Sequence, residues 1–319
     1  MNTVEIAKFL MKQFESFPIS PEVEVGELQE VFHHPIFLKG SQSERNEIML
    51  KSSESKYNSE LKYPWDHYFG IELLPFLQKK VVLDLGCFTG GRSAAWFERY
   101  QLDHLVGIDV TQIYIDAATQ FAAAKKIKAD FKVAKGESLP FEDESFDAIL
   151  SFDVFEHVQD LQRTLSECYR VLKTKGRLFV VFPSYFQPIE HHLALVTELP
   201  GIHYLFSGQT LVKAYYEIIE ERGSEAHWYR RNSPYLESWE RCNSINGTTL
   251  AQFRKLLRNN NWKIILDSRK PIGSIGRNIS EIKIFKFLSH FFYPLTFVPF
   301  LQEIFLHRIT YILERANGL

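Results

Sequence analysis

The sequence contains few cysteines, three in 319 residues. Cys87, Cys168 and Cys242 form no CxxC pair, and three thiols do not make a disulfide framework in a chain of this length. The composition therefore predicts a protein of a reducing compartment, which we take to be the cytoplasm.

A long apolar run is also lacking. The N-terminal residues include acidic residues and lysines within the apolar pattern, without the unbroken hydrophobic region of a signal peptide. Residues 291–301 are apolar, but they include Pro294 and Pro299, and a transmembrane helix needs about 20 apolar residues. We therefore expect no membrane-spanning segment.

Neither sign of charge dominates, because the sequence has 37 Lys and Arg residues and 39 Asp and Glu residues, which gives a formal net charge of -2. Such a chain has no overall electrostatic attraction to nucleic acid, which argues against a nucleic-acid partner. With 45% hydrophobic residues it has enough apolar side chains to bury a full core.

From residue 81 onward, short apolar segments alternate with helical patterns. Apolar strands separated by helices pair in parallel and are covered on both faces. The pattern thus predicts an α/β fold, a Rossmann-like, doubly wound sheet of seven mostly parallel strands. The predicted strands are 81–85, 105–109, 131–134, 148–152, 177–182, 262–266 and 308–313.

Interruptions of this alternation predict four parts. Residues 1–60 form a helical N-terminal lead-in, and residues 61–183 form the Rossmann-like core. Residues 184–247, rich in His, Tyr and Trp, form a cap inserted after strand five. Residues 248–319 complete the core with strands six and seven and include a helical insertion at 271–305.

A glycine-rich turn follows the first strand, where residues 81–91 read VVLDLGCFTGG. Open parallel sheets bind ligands beyond the carboxyl ends of their strands, and Gly86 and Gly90 allow the backbone to approach a ligand closely. Asp84 ends the strand, where it can accept hydrogen bonds from an ammonium group or from backbone amides. The turn lacks the GxGxxG spacing of a dinucleotide site.

Asp109 ends the second strand, 18 residues beyond Gly91. An acidic residue there can bind both ribose hydroxyls of a nucleoside. Taken alone, it is equally compatible with NAD or with a structural role as a helix cap.

A third segment decides between these alternatives. Residues 134–158 read AKGESLPFEDESFDAILSFDVFEHV. With the turn and Asp109, this segment resembles the class I S-adenosylmethionine (SAM)-dependent methyltransferases, in the small-molecule group with the pattern ESLPF…SFDxIxSxxVxEHV. The resemblance covers residues 81–182.

The resemblance implies an enzyme that transfers a methyl group from SAM to a small-molecule acceptor. We expect an oxygen atom of a sugar or a natural-product metabolite. Methylation of nitrogen or carbon by the same fold is an alternative, as is a catalytically silent SAM-binding module.

The family pattern also implies which residues bind SAM. The turn after the first strand would bind the methionine part of SAM, and the end of the second strand would bind the ribose. The loop before residue 138 would lie beside the adenine, and the end of strand four would lie below the sulfonium. In that order the residues are Asp84, Gly86, Cys87 and Gly90; Asp109 and Val110; Gly136 and Glu137; and Phe152 and Asp153.

Two positions depart from the family pattern. Phe88 replaces the middle glycine of the usual turn, which reduces the conformational freedom of the turn and makes one wall bulkier. Lys135 stands where many relatives carry aspartate, and a lysine cannot accept a hydrogen bond from the adenine amino group.

Transfer to a hydroxyl benefits from a general base, a role that histidine fills near neutral pH. Three histidines follow strand five, in the part of the chain expected to overhang the methyl group: His191, His192 and His203. We predict His203 as the base, with His192 as the second candidate and Asp153 as a further catalytic residue at the floor of the site.

Other features leave alternatives open. Glu156 and His157 are compatible with a metal site or with a structural role, and we predict no metal. The aromatic residues between 57 and 68 either close over SAM or pack the lead-in onto the core. Residues 281–293 form a basic amphipathic helix that docks on the protein, on a second subunit of a homodimer, or on a membrane surface.

Overall fold

A computed structural model describes residues 2–14, 41–191, 193, 196–221, 246–274 and 283–316. These residues form a seven-stranded sheet in the order β3-β2-β1-β4-β5-β7-β6. The strands are β1 (Val81–Leu85), β2 (His104–Asp109), β3 (Ala129–Val133), β4 (Phe146–Phe152), β5 (Leu172–Phe182), β6 (Trp262–Ser268) and β7 (Ile309–Arg315).

Strands β1 to β5 pair in parallel, and β7 runs antiparallel to both of its neighbours, β5 and β6. The predicted Rossmann-like, mostly parallel α/β sheet is therefore confirmed. The chain proceeds outward from β1 through β2 to β3 and then returns to β4 on the other side of β1. The carboxyl ends of β1 and β4 thus flank the point where the strand order reverses, and open α/β sheets bind ligands there.

Helices cover both faces of the sheet, so that its central strands are buried on both sides, whereas the edge strands β3 and β6 are largely exposed. Leu83 of β1 belongs to one apolar cluster and Val82 to another, which alternation along a strand requires. The helices are α1 (Thr3–Gln13), α2 (Gln42–Lys62), α3 (Asp66–Phe69), α4 (Leu74–Leu77), α5 (Gly91–Arg99), α6 (Gln112–Lys125), α7 (Leu161–Val171), α8 (Ile202–Leu205), α9 (Gly208–Glu221), α10 (Leu250–Asn259), α11 (Lys283–Phe292) and α12 (Gln302–Phe305), with a 3-10 turn at Tyr293–Phe297.

The N-terminal helix packs on the cap. Ala7 and Met11 of α1 are fully buried in an apolar cluster with residues of α8 and α9. Lys8 reinforces this contact through an ion pair with Glu217 of α9 at 3.3 Å. The division of the chain into four parts stays a prediction, but α1 makes its contacts with the predicted cap.

Helix α2 lies against the glycine turn. A capping box starts the helix, in which Ser41 and Glu44 satisfy each other's backbone amides. Further along, the Ser53 hydroxyl donates a hydrogen bond to the Thr89 carbonyl at 2.7 Å. The second half of the predicted lead-in therefore supports the turn that follows β1.

Helix α11 occupies the described part of the amphipathic segment. Phe287 and Phe291 are each 63% exposed, whereas Phe292 packs against Phe305 with ring centroids 5.1 Å apart. Among the described residues, then, docking on the protein itself involves Phe292 and leaves the other two rings exposed. No helix in the described part of the chain is long and apolar enough to span a bilayer.

Candidate active site

A cavity of about 650 Å³ opens at the carboxyl ends of β1, β2 and β4. Nine of the ten residues predicted to bind SAM line it. Gly90 does not; it lies behind the turn, where an added Cβ would be 2.6 Å from the Cβ of Ala118. The nine are Asp84, Gly86, Cys87, Asp109, Val110, Gly136, Glu137, Phe152 and Asp153.

Gly86 allows the turn to pass close to the loop after β4. Its φ angle is 82°, and an added Cβ would lie 2.2 Å from a methyl carbon of Val154. Only glycine fits such a position without strain, because a side chain is disfavoured there by the backbone and by the contact. The turn thereby leaves a cradle of bare backbone at the end of β1.

Phe88, which replaces the middle glycine of the family pattern, has a left-handed backbone conformation with φ at 49°. Its N–H donates a hydrogen bond to Asp109 at 3.1 Å, and its ring meets Tyr114 edge-on with centroids 4.3 Å apart. A non-glycine residue in this region costs about 1 to 3 kcal/mol. The turn thus keeps its path despite the departure, and the ring forms part of the cavity wall.

Asp84 is a buried carboxylate at the base of the cavity, 2% exposed. It accepts a hydrogen bond from the Ser93 hydroxyl at 2.5 Å. Burial raises the pKa of Asp84 to about 7, because the ionised form loses its hydration. A cationic group entering the cavity would favour the ionised form.

Asp109 is held by the backbone on either side. It accepts N–H hydrogen bonds from Phe88 and from Thr111, each at 3.1 Å. Burial raises the pKa of Asp109, and these hydrogen bonds oppose that rise because they favour the carboxylate. The side chain lines the cavity at the end of β2, where the sequence predicts a ribose ligand.

The predicted adenine wall is narrow. An added Cβ at Gly136 would lie 3.1 Å from a methyl carbon of Thr164. The Glu137 carboxylate accepts an N–H hydrogen bond from Gln159 at 2.7 Å, so that its side chain is engaged within the protein. Lys135 lines the cavity beside them.

Asp153, at the end of β4, belongs to a network of ion pairs that connects distant parts of the chain. Its carboxylate pairs with Arg308, at the start of β7, and Arg308 also pairs with Glu190 of the predicted cap. The Arg308 guanidinium lies 5.2 Å from the centroid of the Phe152 ring. Arg308 is not among the residues predicted from the sequence, since no local pattern marks a partner 155 residues away.

A second cavity, of about 780 Å³, adjoins the first. Arg92 and Phe152 line both cavities, and the Arg92 guanidinium carbon lies 3.9 Å from the centroid of the Phe152 ring. Arg92 is also not among the residues predicted from the sequence, although it directly follows the glycine turn. These two residues form the boundary between the cavities.

The aromatic residues before β1 divide between two roles. Tyr63 and Tyr68 line the second cavity. Trp65 is 1% exposed and stacks on Trp96 with centroids 4.6 Å apart, so that it packs helix α3 onto the core. Tyr57 donates a hydrogen bond to Glu98, away from both cavities.

The predicted base His203 lies inside the cap and lines neither cavity. It is 7% exposed, its ring centroid is 6.1 Å from that of His191, and burial lowers its pKa to about 4. His192 lies outside the described residues. The general base therefore stays a prediction.

Glu156 and His157 lie in the loop after β4. Glu156 is 5% exposed, and burial raises its pKa well above the usual range. His157 lines the first cavity, with its Nε2 atom 3.6 Å from the Glu156 carboxylate. Within the described ranges, no group of three or more His, Cys, Asp or Glu side chains is arranged to bind a metal ion.

Comparison with known proteins identifies the central segment. A family model described as "Methyltransferase domain" matches residues 83–180. Over 110 residues, the chain is 36% identical to a ubiquinone biosynthesis O-methyltransferase of Bartonella tribocorum, covering 34% of this chain and 43% of that protein. Over another 110-residue match it is 31% identical to a phosphoethanolamine N-methyltransferase of Triticum aestivum, covering 34% of this chain and 22% of that protein.

A solved structure is also similar. The crystal structure of the YcgJ protein from Bacillus subtilis covers 79% of this chain and 100% of its own, with 18% sequence identity and a TM-score of 0.44.

Residues 83–180 are thus a methyltransferase domain of the class I SAM-dependent group, and SAM is the methyl donor of that group. The match spans less than half the length of the two curated relatives. Their names include an O- and an N-methyltransferase, so similarity within the domain does not determine the acceptor atom.

The carboxylates that line the first cavity match the hydrogen-bond donors of SAM. SAM carries an ammonium group and two ribose hydroxyls, and the cavity presents two carboxylates, the buried Asp84 and the half-buried Asp109. The bare backbone at Gly86 leaves room for the chain between these two groups of the ligand.

Proposed function

We propose that this chain is a cytoplasmic SAM-dependent methyltransferase that acts on a small molecule, and that it methylates an oxygen atom of a sugar or natural-product metabolite. The observation that carries the proposal is the pair of carboxylates, Asp84 buried and Asp109 half-buried, on either side of a glycine turn at the switch point of the sheet.

In this proposal the two carboxylates bind opposite ends of the donor. Asp84 accepts hydrogen bonds from its ammonium group, and Asp109 accepts them from its ribose hydroxyls. Gly136 and Glu137 lie beside the adenine, and Phe152 and Asp153 form the floor below the reacting methyl group. The donor supplies a methyl group on a positively charged sulfur.

The chain contributes by positioning. Much of the rate of methyl transfer comes from holding the acceptor atom in line with the methyl group. Arg308 ties Asp153 to Glu190, so that the floor of the site and the cap are fixed relative to each other.

Nitrogen is the second candidate acceptor, and one observation favours it. His203 lines neither cavity, and its pKa of about 4 makes it a weak base at neutral pH. A neutral amine attacks without prior removal of a proton, whereas a hydroxyl benefits from a base. An oxygen acceptor therefore needs His203 to move or another base to act.

Calorimetric titration with S-adenosylhomocysteine (SAH), the demethylated product, tests the proposed cofactor. We expect the purified protein to bind SAH with a micromolar dissociation constant and NAD not at all, because the turn lacks the dinucleotide spacing. Binding of NAD in preference to SAH would contradict the proposal. Absence of SAH binding would contradict the proposed cofactor.

The pH dependence of SAH binding tests the role of Asp84. With a pKa of about 7, Asp84 is mostly protonated at pH 6 and mostly ionised at pH 8. Only the carboxylate attracts an ammonium group, so we expect SAH affinity to rise about tenfold across this interval. Titrations at several pH values measure this change directly.

Asp84→Asn is the matched control, since asparagine has the same shape but no charge. We expect this variant to bind SAH weakly and with little change between pH 6 and pH 8. The stability of the protein without SAH changes with pH in the opposite direction. The pKa of Asp84 in the folded protein lies above that of an exposed aspartate, so its ionisation lowers the free energy of unfolding as pH rises from about 4 to 7. A wild-type affinity independent of pH would contradict the assignment.

A further inference from the structure

The second cavity adjoins the proposed SAM site and has charged walls. Four cationic side chains and three carboxylates line it. The balance of charge open to a ligand depends on which of these groups already have partners within the protein. The seven residues are Arg92, Arg99, Lys270, Arg308, Glu60, Asp66 and Glu72.

Two of the carboxylates are engaged by the protein. Asp66 accepts hydrogen bonds from the Leu73 N–H at 2.8 Å and the Tyr100 hydroxyl at 2.6 Å, and it pairs with Arg99 at 3.3 Å. Glu60 accepts the Trp65 N–H at 2.7 Å. These acids fix the structure around helix α3, and Asp66 also neutralises Arg99.

Glu60 is directed towards Arg92, with an N···O distance of 3.6 Å. Its side chain is buried, and burial raises its pKa. Glu72, the third carboxylate, is an exposed side chain, where solvent screens its charge. The carboxylates therefore reduce the positive character of the buried part of the cavity only in part.

Arg92 retains hydrogen-bonding capacity. Its ion pair with Glu60 is long, 3.6 Å, and its guanidinium carbon lies 3.9 Å from the Phe152 ring centroid. A guanidinium has five N–H donors, and a ring face uses none of the in-plane ones. Arg92 lines both cavities. Its in-plane N–H groups therefore lie where the molecule to be methylated would meet SAM.

Lys270 supplies a second cation. It is half-buried, and it lies against Gly70, where an added Cβ would be 2.7 Å from its Nζ atom. Among the described residues, no carboxylate pairs with Lys270, whereas Arg308 in the same cavity pairs with two. A half-buried ammonium group that no described carboxylate neutralises attracts an anion from solution.

We propose that the second cavity binds the methyl acceptor and that this acceptor carries an anionic group, a carboxylate or a phosphate, held by Lys270 and Arg92. Tyr63, Tyr68 and Phe152 would pack against the rest of the molecule. This inference rests on the proposed methyltransferase function, and it narrows the acceptor to a class of small anions.

Small aromatic probes test the inference without knowledge of the acceptor. Ligand-observed NMR in the presence of saturating SAH gives the affinities of benzoate, phenyl phosphate and the neutral benzyl alcohol. We expect both anions, or one of them, to bind at least about tenfold more tightly than the alcohol, because charge-assisted hydrogen bonds contribute about 1.5 to 3 kcal/mol each. The stronger of the two anions identifies the class of anionic group.

Variants of Lys270 connect the binding to this cavity. Lys270→Met is expected to weaken the anions about tenfold and to leave benzyl alcohol and SAH unchanged, while Lys270→Arg restores most of the anion affinity. The matched control is Lys128→Met, since Lys128 is an exposed lysine that lines neither cavity.

Equal affinities for the anions and the alcohol would overturn the inference, as would an anion affinity that Lys270→Met leaves unchanged. Both outcomes are compatible with normal SAH binding and so leave the proposed function intact. Conversely, anion binding that depends on Lys270 in a protein that fails to bind SAH would refute the methyltransferase proposal and retain the anion site.

Discussion

Replacing Asp109 with alanine is expected to weaken SAH binding at least tenfold while the protein stays folded. The carboxylate is the proposed partner of both ribose hydroxyls, and two hydrogen bonds to a charged group contribute about 1.5 to 3 kcal/mol each. Asp109 also accepts the N–H of Phe88, whose φ of 49° is unfavourable for a phenylalanine. Loss of the carboxylate thus removes a ligand contact and a restraint on the turn.

Calorimetry with SAH measures this change, and circular dichroism with thermal melting establishes that the variant is folded. Asp130→Ala is the matched control, because Asp130 lies on the neighbouring strand β3 with its side chain 72% exposed and outside both cavities. We expect the control to bind SAH as the wild type does. Unchanged affinity in Asp109→Ala would refute the ribose assignment.

Replacing Gly91 with alanine is expected to destabilise the fold by more than about 2 kcal/mol, because overpacking against rigid backbone has a cost of this order. An added Cβ would lie 1.9 Å from the Ser53 carbonyl oxygen of helix α2. Gly91 is the first residue of α5, and alanine favours helices more than glycine by about 1 kcal/mol. Helix propensity alone would therefore predict the opposite sign.

Denaturant unfolding measures the effect. Gly136→Ala serves as the comparison, since its nearest atom would be a Thr164 methyl carbon at 3.1 Å, which a small side-chain movement relieves. We expect the loss of unfolding free energy in Gly136→Ala to be clearly smaller. If Gly91→Ala is as stable as the wild type, helix α2 does not contact the turn as described.

The hydrophobic pattern predicted strand boundaries well in apolar segments and less well in polar segments. Strand β1 occupies the predicted residues 81–85, whereas β5 begins at Leu172 and not at 177. The additional residues include Lys173, Thr174 and Lys175, which no apolar pattern marks. Phe146 of β4 pairs with Leu172 and Ala148 pairs with Arg177, so that the additional residues form an irregularity between two paired positions. Pairing with a neighbour is a tertiary property.

Helix faces were also decided by tertiary contacts. Ile6, Phe9 and Leu10 have the spacing of one helical face, and they do lie on helix α1, but Ile6 and Phe9 are 41% and 54% exposed. The buried residues are Ala7 and Met11, since the small Ala7 side chain allows α1 to approach the cap closely. Periodicity identifies a helix, whereas the partner determines which side is covered.

The sequence by itself determined the class of fold and most of the proposed cofactor site. The motif residues at the ends of β1, β2 and β4 follow their strands directly, so their positions at one edge of the sheet depend only on parallel pairing. Nine of the ten predicted residues accordingly line one cavity.

Only the tertiary structure decided what surrounds the acceptor. Arg308 meets Asp153 across 155 residues of sequence, Lys270 joins a cavity formed largely by residues 59–72, and His203 lies within the cap. The cofactor site is built from short segments whose order in the sheet is set by the chain. The second cavity, proposed for the acceptor, is built from residues 59–72 together with Lys270, Arg308 and other residues of distant segments. The positions of these segments depend on side-chain packing, and no local pattern in the sequence encodes that packing.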